Sequence, residues 1–324
     1  MNIFLCGGQS PFGRYVAGAI LAVHPDANVF SNSRTSVDPT CLDKLIIAME
    51  RVKPEYVIHC DVYGGDTATN HEVSDKLYQN LTSLLNTFEA ASFVGAKKVV
   101  VYAPQIVYPE NWTGPLLESE LETLNTNGGI NSIRQAFQLA QPIAISYRHQ
   151  VGIDSLIVVA NPTIGEHFLE DLSSSFIVDA IKMVYTAKVN HIQLLTLPWY
   201  AKARFELDVA QDVANILSRM MDQPFQGVYN VGIGRSYTGQ ELAEALKSAS
   251  GFTGEFKYAV PPKNTTNPVD RYLDTTKLAA QGLDIKIPLD EGLRGMFSKL
   301  EKSSSNGRYV GIRLGVGPES LMLS

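Results

Sequence analysis

Short apolar runs of four to six residues alternate with longer amphipathic stretches through the first half of the chain. Asn2–Cys6, Asn28–Ser31, Tyr56–Cys60, Lys98–Tyr102 and Ser155–Ala160 carry the apolar, largely β-branched pattern of buried strands. Between them Gly13–His24, Pro39–Arg51, Ser74–Gly95 and 132–150 repeat apolar positions every three or four residues, which predicts helices. Strands this short, each followed by a longer helix, predict βαβ units. A parallel sheet doubly wound with helices on both faces follows, an α/β fold.

The texture changes beyond residue 165. Leu207–Met221 and Gly239–Ala249 read as helices and Gly254–Val260 as a strand. A proline- and asparagine-rich loop, Pro261–Pro268, precedes Arg271–Leu278. The expected division is a sheet-forming domain over 1–165 and a smaller mixed α/β domain over 166–302, partly interleaved with the first. Residues 303–324 form a tail, with Ser303–Gly307 a flexible linker by composition.

Composition narrows the function. The net charge is −6 and basic residues are not interleaved with aromatic ones, so nucleic acid is not an expected partner. No apolar run is long enough for a membrane span, and Met1–Leu5 has no basic start for a signal peptide. Three cysteines, Cys6, Cys41 and Cys60, make no disulfide framework and no zinc spacing. These features place the protein in the cytoplasm, where the sequons at Asn80, Asn111 and Asn264 are chance matches.

The turn Gly7-Gly8-Gln9-Ser10-Pro11-Phe12-Gly13 runs directly from the first strand into the first helix. That context aims helix N–H groups at an anion, so the turn is the expected dinucleotide site of a Rossmann-type domain. Gly7 allows the tight turn, Gly13 allows the helix to pack on the strand, and backbone meets pyrophosphate near Ser10. The end of the second strand, Ser31-Asn32-Ser33-Arg34, offers an arginine and no carboxylate. NADP is therefore favoured over NAD.

Several stretches together resemble one family. Cys6-Gly7-x-x-Ser10-x-x-Gly13 resembles the glycine turn of extended short-chain dehydrogenases/reductases, with Ser10 in place of the middle glycine. The helix around Asn80 with Asn86, Ala90 and Ala91 is similar to their fourth helix, which implies a cofactor-side role for Asn80. Tyr108-Pro109 followed by Glu118-Ser119-Glu120 resembles the branch of GDP-L-fucose synthases and nucleotide-sugar epimerases. Asp212-Val213-Ala214, Tyr229-Asn230-Val231-Gly232 with Thr238, Glu241 and Leu242, and Asp274–Leu278 match later family segments in family order.

The family's chemistry uses a tyrosine as proton carrier, a lysine four residues on that lowers its pKa, and a serine that orients the substrate. Aligned on the resemblance, those positions hold Ile133, Phe137 and Pro104. None of the fourteen tyrosines is followed by lysine at the fourth position, so the Tyr-x-x-x-Lys pair is absent whatever the alignment. Ser132, Arg134, Gln135 and Gln105 do not rebuild it, since arginine stays protonated and glutamine does not titrate. Pro142 is expected to kink the helix over 132–150. Where the family has small alanines after the third strand, this chain reads His59-Cys60-Asp61. Asp61 either repels the pyrophosphate or faces solvent in a rebuilt loop. His59, His71, His149, His167 and His191 are dispersed, Glu118/Glu120/Glu122 read as a solvated loop or helix start, and Glu170-Asp171 shows no partner.

The resemblance thus implies three functions. The first is a catalytically degenerate binding or regulatory protein that holds a dinucleotide, NADP or NAD, and possesses a nucleotide-sugar cleft. The second is an enzyme of altered chemistry in the same cleft, and the third an active nucleotide-sugar reductase or epimerase. Expected cleft residues are Gln105, Tyr108, Asn161, Lys263 and Arg271, with Tyr102 and His167 as further candidate groups. The resemblance also implies a homodimer through the helices at 74–95 and 132–150, or pairing with an active homologue.

Overall fold

The computed structural model describes residues 1–33, 35–64, 73–109, 112–122, 131–170, 175–261 and 270–305. The chain begins β1 (Asn2–Cys6), α1 (Pro11–Val23), β2 (Asn28–Ser31), α2 (Leu42–Val52), β3 (Tyr56–His59), α3 (Val73–Phe93) and β4 (Lys98–Pro104). It continues with β5 (Gly114–Leu116), α4 (Ser132–Phe137), α5 (Ala140–Val151), β6 (Asp154–Ala160), β7 (Thr163–Ile164) and α6 (Phe176–Val189). Next come β8 (Leu194–Leu197), β9 (Arg204–Phe205), β10 (Asp208–Val209), α7 (Ala210–Met220) and β11 (Gly227–Val231). β12 (Tyr237–Thr238), α8 (Gly239–Ser250), β13 (Glu255–Tyr258), β14 (Arg271–Leu273), α9 (Thr276–Ala279) and α10 (Leu289–Ser305) complete it.

Six strands form one parallel sheet in the order β11-β6-β4-β3-β1-β2. The sixth, β11, comes from well beyond residue 165. The strand order reverses at β1, because β2 lies on one side of it and β3 on the other. A crevice therefore opens beyond the carboxyl ends of β1 and β3, where open α/β sheets hold ligands.

Burial explains the layering. Phe12, Val16, Ala19 and Ile20 line one face of α1 and pack with Val213, Ala214 and Leu217 of α7 over one side of the sheet. Leu84, Phe88 and Ala91 of α3 cover the other side with α2, α4 and α5. A third core joins α6, α8 and α10 to β8. Local signals start the helices. Ser10 caps α1 with Pro11 in its first turn, and Thr238 and Glu241 close a capping box on α8.

Three elements differ from the sequence expectation. The helix expected over 132–150 is two helices, broken at Gln138-Leu139, and Pro142 lies in the first turn of α5. A proline there removes no helical hydrogen bond, so it shapes a start and not a kink. Leu207 and Asp208-Val209 precede α7, with β10 pairing to β7. Ser303–Ser305, expected as linker, continue α10, while the rest of the tail, 306–324, is outside the described residues.

Residues that carried the family resemblance meet in one buried polar knot. The Tyr108 hydroxyl donates to Asn230 Oδ1 at 2.6 Å. Asn230 Nδ2 donates to the carbonyls of Leu116 (2.8 Å) and Asp274 (3.1 Å). Its backbone N–H reaches Glu118 at 3.0 Å, so Glu118 is tied into the fold and is not simply solvated. Tyr108 and Asn230 are completely buried, so their polar atoms depend on each other. Tyr108→Phe leaves Asn230 Oδ1 without its donor and is expected to cost about 1–3 kcal/mol in urea denaturation. Asn230→Ala should cost more, and the double variant less than the sum of the two. Additive losses would show that the two side chains do not act as a unit.

Candidate functional site

At the crevice, Gly7 has φ +79, and a side chain there would press on the Asp61 backbone at 2.9 Å. A Cβ at Gly13 would lie 2.1 Å from the Gly7 carbonyl, so only glycine lets α1 start this close to β1. The Gly7 N–H donates to Asn32 Oδ1 at 3.0 Å, and Gln9 Nε2 donates to Ser31 Oγ at 3.1 Å. Ser10 N–H reaches the Gly7 carbonyl at 2.9 Å, and Ser10 Oγ accepts the Gly13 N–H at 3.1 Å. Pro11 has no N–H, and the N–H groups of Gly8, Gln9 and Phe12 have no partner among the described residues. The turn thus keeps the close approach and donors that fit a diphosphate, while Ser10 takes up the Gly13 N–H. Arg34 is outside the described residues.

The end of β3 is closed. Asp61 is 2% exposed and stands directly behind Gly7, so it does not face solvent. His59 is fully buried against Thr87 Oγ1 at 3.0 Å, and burial pushes its pKa down to about 4, so the ring stays neutral. Burial also pushes the Cys6 thiol up to about 12, which makes it a packing group. Asn80, expected beside the cofactor, instead grips the backbone of Tyr63 from both sides, at 2.8 and 2.7 Å.

Helix α4 carries the positions that the resemblance gives to tyrosine and lysine. Phe137 is buried with its ring 6.1 Å from that of His59, and Ile133 packs near Gly64. Arg134 is almost wholly buried and donates to the Ile106 carbonyl at 2.9 Å; Gln138 donates to that of Val107 at the same distance. These two side chains pin α4 to the turn after Pro104.

A cleft of about 380 Å³ opens at the carboxyl ends of β4 and β6, lined by Gln105, Pro162, Phe176, Arg204, Phe205, Glu206 and Arg271. Gln105 and Arg271 are where the sequence placed them. Tyr108 is not: its hydroxyl belongs to the buried knot. Asn161 lies beneath the cleft, donating to Asp208 at 2.8 Å, and Lys263 is outside the described residues. Tyr102 is buried with its ring stacked on Phe12 at 4.1 Å. His167 packs on Tyr15 at 4.6 Å. Glu170 finds Arg14 at 2.9 Å and Lys299 at 3.5 Å, while Asp171 is outside the described residues.

The sequence reading missed Glu206. Its side chain is 8% exposed, faces Arg271 at 3.7 Å and accepts the Leu273 N–H at 3.2 Å. The one available signal was the alternation Arg204-Phe205-Glu206 ahead of Leu207, which puts two charged residues on one side of an extended segment. Phe205 and Phe176 stack at 5.3 Å and form an apolar wall beside the two arginines.

The sequence profile of the NAD dependent epimerase/dehydratase family matches residues 3–232. Among curated relatives, putative GDP-L-fucose synthase 2 of Arabidopsis thaliana is 27% identical over 275 residues, covering 82% of this chain and 81% of that protein. Among solved structures, a GDP-L-fucose synthetase from Naegleria fowleri bound to NADP superposes with a TM-score of 0.82 at 14% identity, covering 95% of each chain. A UDP-glucose 4-epimerase from Thermotoga maritima with UDP-glucose gives 0.80 at 18% identity, covering 94% of this chain and all of that one.

Asp208 beneath the cleft sets a pH dependence. It accepts from Asn161 and from the Ile233 N–H, and burial raises its pKa to about 7 despite those bonds. The folded protein thus holds a proton that the unfolded chain releases at the ordinary aspartate pKa. The stability this group contributes is full at low pH and is lost as pH rises towards 7. Asp208→Asn is expected to leave stability unchanged near pH 4 and raise it at pH 8. Thermal melts at the two pH values check this, and equal shifts at both would refute it.

Proposed function

The chain belongs to the NAD dependent epimerase/dehydratase family, and we propose that it binds a nicotinamide dinucleotide and a nucleotide-linked ligand without the family's hydride-transfer chemistry. What supports this reading is the family resemblance, on which Pro104, Ile133 and Phe137 take the places of serine, tyrosine and lysine and none can move a proton, while α4 stays pinned to the turn after Pro104. The protein resembles GDP-L-fucose synthases and nucleotide-sugar epimerases in sequence and fold. Within that group it acts as a binding or regulatory member.

The turn from Gly7 to Gly13 would hold the diphosphate through the Gln9 and Phe12 N–H groups. Arg34 makes NADP the preferred form, in line with NADP in the Naegleria structure. A bound nicotinamide supplies a hydride donor or acceptor. This chain's residues bind and orient it, with the Asp61 backbone packed directly behind Gly7. The segment 1–165 serves the dinucleotide and 166–302 the second ligand. Arg204 and Arg271 suit its phosphates and the Phe176–Phe205 wall suits its base or sugar face.

A homodimer through α3 and α5 is part of the same reading, supported by Tyr78, Leu85 and Phe93 on one helix and Ile145 and Val151 on the other, all exposed. No helix among the described residues is long and apolar enough to cross a membrane. An enzyme of altered chemistry is the second reading, favoured by Glu206, a titratable group in the cleft.

Titration of NADPH fluorescence is expected to show binding, with no NADPH consumed when GDP- or UDP-linked keto sugars are added. Gly13→Val should weaken NADPH binding by at least about tenfold, with far-ultraviolet circular dichroism confirming the fold. NADPH oxidation by a nucleotide sugar would overturn the loss of hydride transfer, and absence of NADPH binding would overturn the dinucleotide role.

A further inference from the structure

Arg271 is the cleft's innermost cation, and it already has an anion beside it. Glu206 Oε1 lies 3.7 Å from Arg271 Nε inside the same cleft, and both side chains are largely shielded from water, at 8% and 21% exposed. Arg271 is held in place from behind, its Nη1 donating to the Pro109 carbonyl at 2.8 Å. Glu206 is held by the Leu273 N–H. A phosphate that reaches Arg271 must therefore come close to a carboxylate that cannot swing out to solvent without giving up that bond. Two anions sharing one guanidinium in a poorly hydrated space repel strongly. A proton on Glu206 relieves the repulsion and leaves its other oxygen free to accept the Leu273 N–H.

We propose that Glu206 is a built-in counter-anion of Arg271 that must take up a proton when a phosphate-bearing ligand enters the cleft, so that anion capture is proton-coupled and favours the more acidic side of neutrality. The proposal rests on the reading that the cleft holds a nucleotide-linked ligand.

The groups facing Glu206 agree with this sign. Arg271 from β14, the Gln105 amide after β4 and the Leu273 N–H favour its charged form; burial opposes it and outweighs them, so its pKa is already raised before any ligand arrives. Asp208, two residues on, is buried below it, and its pKa is raised in part by Glu206. Arg204 on β9 stands at the rim, paired with Asp270 at 3.9 Å, and is open to the ligand's second phosphate. A second hollow of about 420 Å³ also sets Arg235 beside a carboxylate, Glu241 at 3.5 Å, but those side chains are 53% and 46% exposed, so water screens the pair.

The test is calorimetry of the full chain with GDP-mannose, whose esterified diphosphate does not itself titrate near neutral pH. Titrations in PIPES, HEPES and Tris, which differ in ionisation enthalpy and contain no phosphate, count the protons exchanged. The wild type is expected to take up protons, and its affinity to fall as pH rises from 6 to 8.5, approaching but not exceeding about tenfold per pH unit. Glu206→Gln is expected to bind GDP-mannose more tightly at pH 8 and to lose both the proton uptake and the pH slope. Asp208→Asn should keep both.

Binding of GDP-mannose with a buffer-independent enthalpy overturns the proposal and leaves the cleft's ligand reading intact. Loss of the uptake in Asp208→Asn but not in Glu206→Gln assigns the proton elsewhere and overturns it too. No binding of GDP-mannose at any pH removes the ligand reading and the proposal together. Should Glu206→Gln fail to fold, the wild-type proton count and pH slope still decide whether uptake occurs, and Asp208→Asn still tests the competing group.

Discussion

The buried amide of Asn230 ties the molecule together. It sits on β11, the last strand of the parallel sheet, and joins the Tyr108 hydroxyl to the carbonyls of Leu116 on β5 and Asp274 after β14. Each of those groups is cut off from water, so each needs the others. Because β14 is held to β5 beside the sheet, Arg271 comes to the carboxyl end of β4, next to Gln105. Without the knot the cleft would have no fixed cation.

The same logic separates scaffold from chemistry. Asn80, Arg134, Gln138 and Tyr108 are polar residues near the expected site, and each spends its hydrogen bonds on backbone or on another buried side chain. They preserve the shape of a dinucleotide- and nucleotide-binding fold. None of them is poised to carry a proton, because amides do not titrate, a guanidinium does not release its charge, and burial raises the pKa of the Tyr108 phenol. A shared architecture therefore does not by itself fix the reaction, since architecture and reaction depend on different side chains.

The groups that resist ionisation lie in and under the cleft. Low dielectric makes Asp208 and Glu206 reluctant anions, and the Glu206 charge adds to the cost of ionising Asp208. Arg271 and the backbone N–H groups around them compensate only in part. Charge balance in the cleft is consequently sensitive to one more negative group, which is what a phosphate brings.

Periodicity made β1 legible to the residue, because a parallel strand buried on both faces reads as an unbroken apolar run bounded by turn formers. The glycine turn was equally plain, since Gly7 and Gly13 answer a local steric demand between β1 and α1. The absence of a Tyr-x-x-x-Lys pair is likewise a property of the chain alone. The break before Pro142, the burial of Asp61 and the withdrawal of Tyr108 from the cleft were not readable, because each depends on what packs against the residue. Glu118 and Asn230 are 112 positions apart, and Glu206, between β9 and β10, meets Arg271 of β14. Local sequence determines which elements form and that no Tyr-x-x-x-Lys pair is present. Only the tertiary structure decides which polar groups share a water-free space, and so which of them are scaffold and which face a ligand.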